Sequence, residues 1–193
     1  MVTAAWLALV IAVALQRLFE LRLSRRNEAA LRARGGVEHA KGQMPVMIAV
    51  HTGWLLAAPL EVLLLDRPFA QALGLAALLV FCAGQALRWS AIRALGGRWT
   101  VKVITLPGAP PVTGGVFCFL RHPNYLGVIL EIAALPLVHG AWLTAIVFSA
   151  LNGLLLRQRI RAEERALAAA SDYDGRFRGR ARFWPRLGDE GTL

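Results

Sequence analysis

The sequence predicts an all-α integral membrane protein with about five transmembrane helices, a cytoplasmic lid and a C-terminal helix. Composition is the first observation: 56% of the 193 residues are hydrophobic, 18% are charged, and the mean hydropathy is +0.50. Soluble domains are about 45–50% apolar and about 25% charged. The second is a formal net charge of +10, which suits an anionic bilayer surface or nucleic acid. Long apolar runs favour the bilayer and make nucleic acid an unsuitable partner.

Five apolar stretches are candidate spans, since a span needs about 20 apolar residues. They lie at about 2–19, 44–65, 69–92, 124–138 and 140–160, in a single domain covering 1–193. The first lacks the basic start and small-residue cleavage pattern of a signal peptide. The second and third form a helical hairpin. The last two are separated where Pro136, His139 and Gly140 interrupt a run too long for one upright helix.

Charge placement predicts the orientation. With five spans and the N-terminus outside, Arg67 is the one residue of 22 Lys and Arg that lies on the outer face. The positive-inside rule then places the C-terminus in the cytoplasm, whereas four spans would export a tail with nine arginines. The basic tail, 166–193, alternates arginine with Phe177, Phe183 and Trp184, which is typical of binding to anionic membrane lipids.

The first two cytoplasmic segments show signs of ordered structure. Residues 21–30 carry helical spacing beyond the first span, and Gly35-Gly36 should end that helix. The alternative for this loop is a solvated charged connector. In the second segment, residues 100–106 have the β-branched bias of an extended chain. Pro-Gly and Pro-Pro turns follow, so we expect a folded lid rather than a slack linker.

The stretch Arg-His-Pro-Asn-Tyr-Leu-Gly at 121–127 predicts a helix start. Pro123 suits the first turn of a helix. His122 should be extended, because a residue that precedes proline avoids helical geometry. Arg121 and His122 would lie beside free N–H groups that attract an anion such as a carboxylate. Gly127 allows a close approach to the helix. The alternative is an interfacial anchor, with arginine on headgroups and tyrosine in the aromatic belt.

Polar residues within the apolar runs are further candidates. Carboxylates and guanidinium groups are costly there and normally face a cavity or a partner. We therefore favour a functional role for Glu131 and Arg88. His51, Gln85 and Asn152 are more simply explained as hydrogen bonds between helices.

Two adjacent carboxylates follow the last span. Arg157, Arg161 and Glu164 recur at helical spacing and can share one face. The ordinary role of Glu163 and Glu164 is pairing with surrounding arginines; the functional alternative is holding an amine, a ribose hydroxyl or a sulfonium.

These residues together resemble the isoprenylcysteine carboxyl methyltransferase family. The resemblance is carried by the 121–127 motif, by Glu131 in the following helix, and by the Glu163-Glu164 pair. The first loop is similar to that of small bacterial members, with Arg17-Leu18, Glu20, Ser24, Arg26-Asn27, Arg34-Gly35-Gly36 and Glu38, as is Arg98-Trp99-Thr100. The likeness runs from about Arg17 to Pro185.

The resemblance implies S-adenosylmethionine as cofactor, without a metal, in a cytoplasmic pocket under the lid. His122 and the helix N-terminus would take the cofactor carboxylate, Tyr125 would line the adenosine, and the glutamates would hold the amine or ribose. The full implied cofactor-binding set is Trp99, Arg121, His122, Pro123, Tyr125, Leu126, Gly127, Glu163 and Glu164. The acceptor would be lipid-like, its tail entering sideways between helices.

The acceptor group stays open between two chemistries. Eukaryotic members methylate a prenylated protein C-terminus, and bacterial members are similar to enzymes that O-methylate alkyl phenols or pyrones. A carboxylate needs only an orienting cation, for which Arg88, Arg157 and Arg161 are candidates. A phenol has a pKa near 10 and would benefit from a base, for which Glu131 or His122 could serve.

Other protein classes remain as alternatives. A phospholipid N-methyltransferase would act on an amine headgroup. A sterol-reductase-like enzyme would need NADPH, and the sequence has no GxGxxG fingerprint. A scaffold or small transporter would not need the proline- and glycine-rich lid, and no inverted repeat is evident. Cys82 and Cys118 form no CxxC or Cys/His cluster, so we expect unpaired thiols and no zinc site.

Overall fold

The computed structural model describes residues 1–183, which form a helical bundle with a small two-stranded sheet at one end. The helices are α1 Val2–Ala33, α2 Gln43–Leu64, α3 Gln71–Leu95, α4 Pro123–Leu137, α5 Trp142–Ala170 and the short α6 Tyr173–Arg176. The strands are β1 Val37–His39 and β2 Val103–Thr105, and 3-10 turns occupy Gly96–Arg98 and Gly115–Cys118. The predicted lipid-binding residue Trp184 and the rest of 184–193 lie outside the described residues.

Three helices are long and apolar enough to cross a membrane: Val2–Ala33, Gln43–Leu64 and the helical stretch Gln71–Arg98. Large apolar side chains on their outer faces, such as Leu15, Leu56 and Leu79, are more than half exposed, as expected for contact with lipid. These features identify a membrane protein. Of the five predicted spans, α4 is an apolar helix of only 15 residues, and α5 becomes strongly charged in its second half.

The ends of the helices follow the sequence signals. α1 extends to Ala33, and the chain turns where Gly35 adopts a φ of 84° and the Gly36 N–H donates to the Leu31 carbonyl at 2.8 Å. α4 and α5 separate around Gly140, whose φ is 80°. α5 continues to Ala170, so the first residues of the predicted tail are still helical.

The all-α prediction omitted the sheet. β1 and β2 pair antiparallel with Val37 opposite Thr105 and His39 opposite Val103. The His39 ring also contacts the Thr105 hydroxyl at 2.9 Å. β1 has only three residues, too few to show an alternating pattern, so its partner alone reveals it. The sheet joins the first loop to the 96–120 segment, whose extended stretch was predicted.

Two tryptophans fix α4 in the centre of the bundle. Pro136 has no N–H to donate to the Ile132 carbonyl four residues earlier. The indole of Trp54, which is fully buried on α2, donates to that carbonyl at 3.0 Å. The indole of Trp6 on α1 donates to the Leu135 carbonyl at 2.9 Å. The two indoles therefore satisfy one carbonyl that Pro136 leaves free and one that the end of α4 leaves free.

The opposite end of the bundle is fixed by one carboxylate. Glu61 of α2 accepts hydrogen bonds from the backbone N–H groups of Leu143 at 3.1 Å and Thr144 at 2.6 Å. Arg67 also contacts Glu61 at 3.0 Å. Glu61 thus caps the N-terminus of α5, whose own N-cap residue is an alanine.

α3 and α4 approach closely at two glycines. A Cβ on Gly127 would lie 2.8 Å from the Gly84 carbonyl oxygen and 3.0 Å from Cβ of Arg88. Gly127 was predicted to line the cofactor pocket. In the structure its missing side chain instead allows contact between two helix backbones, and this contact positions Arg88.

We expect Gly127→Ala to lower the free energy of unfolding by about 1–3 kcal/mol, because helix backbones must separate to admit the methyl group. Thermal unfolding in detergent, followed by circular dichroism, would measure the loss. Gly153→Ala is the matched control: Gly153 is an exposed helical glycine, and an added methyl group there would meet nothing within 4 Å, so alanine should not destabilise. Equal melting of both variants would contradict close packing at Gly127.

Candidate functional site

A cavity of about 470 Å³ lies inside the bundle, bounded by α1 to α6 and the 96–120 segment. Its polar end is lined by Arg121, His122, Asn124, Tyr125, Glu163 and Tyr173. Its apolar part is lined by Ala14, Leu18, Met44, Met47, Ile48, Leu55 and Leu56. Between these, its wall carries Arg17, Glu20, His51 and Arg88. The size is within the range of small-molecule sites, roughly 300–1,000 Å³.

The start of α4 forms one wall of the polar end. Pro123 is the first helical residue, and His122 before it has φ −129° and ψ 56°, outside helical geometry as predicted. The His122 ring stacks on Tyr125 with centroids 5.4 Å apart. The Tyr125 hydroxyl donates to Glu163 and accepts from Nε of Arg159 at 2.8 Å. α4 and α5 are therefore joined by a tyrosine hydroxyl held between opposite charges.

The 96–120 segment contributes to the cavity lining and is held in place by side chains from α1 and α5. Asn27 donates to the Trp99 carbonyl at 2.7 Å, and the Ser24 hydroxyl accepts from the Val101 N–H at 2.9 Å. Arg159 donates to the Val101 carbonyl. Irregular backbone in this position needs such partners, since a buried N–H or C=O without one is costly.

A C-terminal strap, residues 180–183, crosses the start of α4. The backbone N–H groups of Arg121 and His122 donate to the carbonyls of Ala181 at 2.9 Å and Arg182 at 3.2 Å. Nε of Arg121 donates to the Arg180 carbonyl at 2.6 Å. Nε of Arg121 is therefore committed to a backbone contact, while Arg121 remains part of the cavity lining.

Glu164 lies between His122 and the strap. Its Oε1 contacts Nε2 of His122 at 3.1 Å, and Arg182 donates to both its oxygens at 2.9 and 2.5 Å. Burial alone would raise the pKa of Glu164, but the hydrogen bonds from His122 and Arg182 outweigh it and lower the pKa to about 2. Glu164 is thus an anion that anchors the strap.

Four charged groups pair where α1, α3 and α4 meet. Arg17 donates to Glu20 at 2.9 Å and also to Glu131. Arg88 donates to Glu20 through Nε at 3.1 Å and through a terminal nitrogen. Glu131 is fully buried, and one of its oxygens has no hydrogen-bond partner within residues 1–183. The cluster is electrically neutral, as an apolar surrounding requires.

The structure brings part of the predicted site together. The predicted residues that line the cavity are Arg88, Trp99, Arg121, His122, Tyr125 and Glu163. The predicted residues outside its lining are Pro123, Leu126, Gly127, Glu131, Arg157, Arg161 and Glu164. Gln85, predicted to bond between helices, exchanges amide hydrogen bonds with Gln16 at 2.9 and 3.1 Å.

The inward face of α5 differs from the prediction. Arg157 and Arg161 are exposed, whereas Arg159 is buried beside the cavity. Arg159 and Glu163 are four residues apart, so they share the face that meets Tyr125. Arginine occupies every second position from 157 to 161, so helical spacing alone allows either Arg159 or the pair Arg157 and Arg161 to face inward. The apolar residues Leu155, Leu156 and Ile160, which are buried together with Arg159, indicate the inward face.

Other cavity residues were not predicted as site residues: Arg17, Glu20, His51, Asn124, Arg159 and Tyr173. Arg17 and Glu20 appeared only as loop residues shared with the family, although a predicted span that ends in opposite charges three residues apart indicates pairing. Tyr173 follows the charged helix, with no local pattern that points inward.

Comparison with known proteins defines the family. Residues 76–169 match the isoprenylcysteine carboxyl methyltransferase (ICMT) family. The chain is 37% identical over 163 residues to uncharacterized protein YpbQ of Bacillus subtilis (strain 168), covering 84% of this chain and 95% of that protein. The chain belongs to the ICMT family.

A second relative supports the same assignment. An uncharacterized protein of Haemophilus influenzae is 33% identical to this chain over 155 residues, which cover 79% of this chain and 88% of that protein. The ICMT-matching region contains the start of α4 and the Glu163-Glu164 pair. Membership in this family, together with the apolar helices, indicates a membrane methyltransferase.

We expect Glu164→Gln to lower the hydrogen-exchange protection of the Arg121 and His122 amides by about tenfold, because the strap loses a charged hydrogen-bond partner. Mass spectrometry of exchange in detergent would measure it. Asp174→Asn, which removes an exposed carboxylate nearby, is the control. Unchanged protection in Glu164→Gln would mean that backbone pairing alone holds the strap.

The same contact predicts a pH dependence. The pKa of Glu164 is about 2 in the folded protein, below its ordinary 4.5. The stability that Glu164 gives the strap is therefore fully present above about pH 4.5. It is lost as pH falls from about 4.5 through about 2. Amide protection of Arg121 and His122, corrected for intrinsic exchange, should fall over that range in the natural protein and stay flat in Glu164→Gln.

Proposed function

We propose that this protein is an S-adenosylmethionine-dependent O-methyltransferase that acts on a lipid-like acceptor. The observation that carries the proposal is the single cavity that joins hydrogen-bonding groups at the charged end of the bundle to apolar side chains inside it. A cofactor from water and an acceptor from lipid would meet there. Family membership supports methyl transfer, and the cavity supports the two kinds of ligand.

The polar end suits the cofactor. The Asn124 side-chain oxygen and the Tyr173 hydroxyl are buried without a partner within residues 1–183, and Tyr173 is only 2% exposed. Burial raises the pKa of Tyr173, so its hydroxyl stays protonated and can donate. With the Glu163 carboxylate, these atoms suit an amine, ribose hydroxyls or a carboxylate. S-adenosylmethionine would supply a methyl group on a positively charged sulfur.

His122 has a different position in this scheme from the one predicted. Its Nε2 already contacts Glu164, so a cofactor carboxylate there would face a second anion. The hydroxyl of Tyr173 and the free N–H groups of α4 are better placed for that carboxylate. His122 would instead support the site by stacking on Tyr125 and holding the strap.

The apolar part suits a hydrocarbon chain. Leu18 of α1 and Ile48 and Leu56 of α2 line the cavity, yet they are 55%, 46% and 61% exposed. Side chains that face both the cavity and the surroundings mark a lateral opening between α1 and α2. An acceptor with a lipid tail would reach the charged cluster through this opening.

The residues of the chain would then supply alignment and exclude water. Buried Trp99 and Phe177 line the cavity and would keep water from the reacting atoms. Arg17 and Arg88 would orient the acceptor oxygen. An amine acceptor is less well supported, because the carboxylates Glu20 and Glu131 are already engaged by those two arginines.

Binding of S-adenosylhomocysteine tests the cofactor site. We expect detergent-purified protein to bind it in isothermal titration and to leave NADPH unbound. Glu163→Gln should weaken binding about tenfold, the effect of one hydrogen bond to a charged group, with Asp174→Asn as control. Binding of NADPH alone would support a reductase-like activity, and no binding to folded protein would contradict the proposal.

We also propose that the N-terminus lies outside and that the C-terminus and the polar end of the cavity face the cytoplasm, where the basic surface meets anionic lipids. Alkaline phosphatase fused after residue 183 should then be inactive in a bacterial host. The same enzyme fused at Asp66, between α2 and α3, should be active in the periplasm. The reverse pattern would overturn the orientation.

A further inference from the structure

His51 of α2 has one ring nitrogen committed to the helix and one free. Its Nδ1 lies 2.9 Å from the Met47 carbonyl oxygen. A carbonyl only accepts, so Nδ1 carries the proton of the neutral ring. Nε2 is then an unprotonated nitrogen with a lone pair, and it forms no hydrogen bond within the part of the chain that the structure describes.

The position of this ring is unusual for a simple interhelical bond. His51 lines the cavity on the same helix as the apolar Met47, Ile48 and Leu55. Arg17 and Arg88 belong to the lining of the same cavity. A ligand whose tail lies along α2 would place its polar end between a basic nitrogen and two guanidinium groups.

The carboxylates near this point each accept from at least one donor, and Glu131, whose second oxygen is free of any partner within residues 1–183, is not part of the cavity lining. Glu20 accepts from Arg17 and Arg88, and Glu131 accepts from Arg17. At the polar end, Glu163 accepts from Tyr125, and the His122 Nε2 contacts Glu164. His122 and His51 each line the cavity with one ring nitrogen that has no hydrogen bond within the described residues. The His122 ring stacks on Tyr125 at the polar end, whereas His51 lies among the apolar side chains of α2 that suit an acceptor tail.

We propose that His51 is the general base that takes the proton from a hydroxyl acceptor. This rests on the proposed function. A carboxylate acceptor is already ionised at neutral pH and would gain nothing from a base, whereas a hydroxyl with a pKa near 10 requires one.

In this step the acceptor O–H bond breaks, and its proton moves to Nε2 of His51. The oxygen forms a bond to the methyl carbon while the S–C bond breaks, leaving its electron pair on sulfur. The products are a methyl ether and a neutral thioether, and the imidazolium later releases its proton to water. Arg17 and Arg88 stabilise the negative charge that develops on oxygen.

Two phenols of equal tail length test the proposal: para-dodecylphenol and its ortho-nitro derivative, at a pH where only the nitrophenol is ionised. His51→Gln should lower kcat/KM for the plain phenol by roughly 10²-fold, the usual contribution of general base catalysis. It should lower turnover of the ionised nitrophenol only slightly. His39→Gln is the control, because His39 is not part of the cavity lining and glutamine can still bond the Thr105 hydroxyl that the ring contacts.

A second readout does not depend on turnover. With S-adenosylhomocysteine bound, the absorbance of nitrophenolate reports ionisation of the nitro probe in the cavity. We expect ionisation at a lower pH with natural protein than with His51→Gln. His51→Asn, whose amide can still donate to the Met47 carbonyl, should behave like His51→Gln and guards against a purely structural effect.

The outcomes separate the two proposals. If both phenols are methylated and the His51 variants match the natural protein on the plain phenol, His51 is not the base, and the methyltransferase function stands. If folded natural protein binds no S-adenosylhomocysteine and methylates neither phenol, the proposed function fails, and the role of His51 fails with it.

Discussion

Pairing of buried charges governs this bundle. Arg17, Glu20, Arg88 and Glu131 lie among apolar helices, where an unpaired ionised group would cost several kcal/mol. Each guanidinium therefore has to meet a carboxylate from another turn or another helix, which fixes α1, α3 and α4 relative to one another. The glycines at 84 and 127 let α3 and α4 come close enough for this geometry. The cavity wall follows from that constraint.

In the segments outside the apolar zone, it is the backbone N–H and C=O groups that need partners. The 96–120 segment and the strap have little secondary structure, so side chains from α1 and α5 and a short parallel bridge supply their hydrogen bonds. Asn27, Arg159 and Glu164 each link two parts of the chain that are distant in sequence. The two segments are thus held at several points along their length.

Local signals predicted the features that depend on neighbouring residues. Proline and glycine chemistry gave the end of α1, the start of α4 at Pro123 and the separation of α4 from α5. Contacts between distant residues were not predictable in this way: the Arg17–Glu131 pair spans 114 positions, and β1 is visible only through its pairing with β2. The inward face of α5 required burial to choose Arg159 over Arg157 and Arg161, and Gly127 was assigned to a ligand because its partner helix could not be identified from sequence.

Under the proposed function, the lateral opening between α1 and α2 makes membrane composition the relevant measure of substrate supply. Leu18, Ile48 and Leu56 line the cavity and are also exposed on the outer surface, so a molecule with a long hydrocarbon tail would reach them by partitioning into the bilayer. The quantity that determines occupancy is then the mole fraction of that molecule among the surrounding lipids. Diluting the membranes in buffer would leave this occupancy unchanged, whereas adding inert lipid or detergent would lower it.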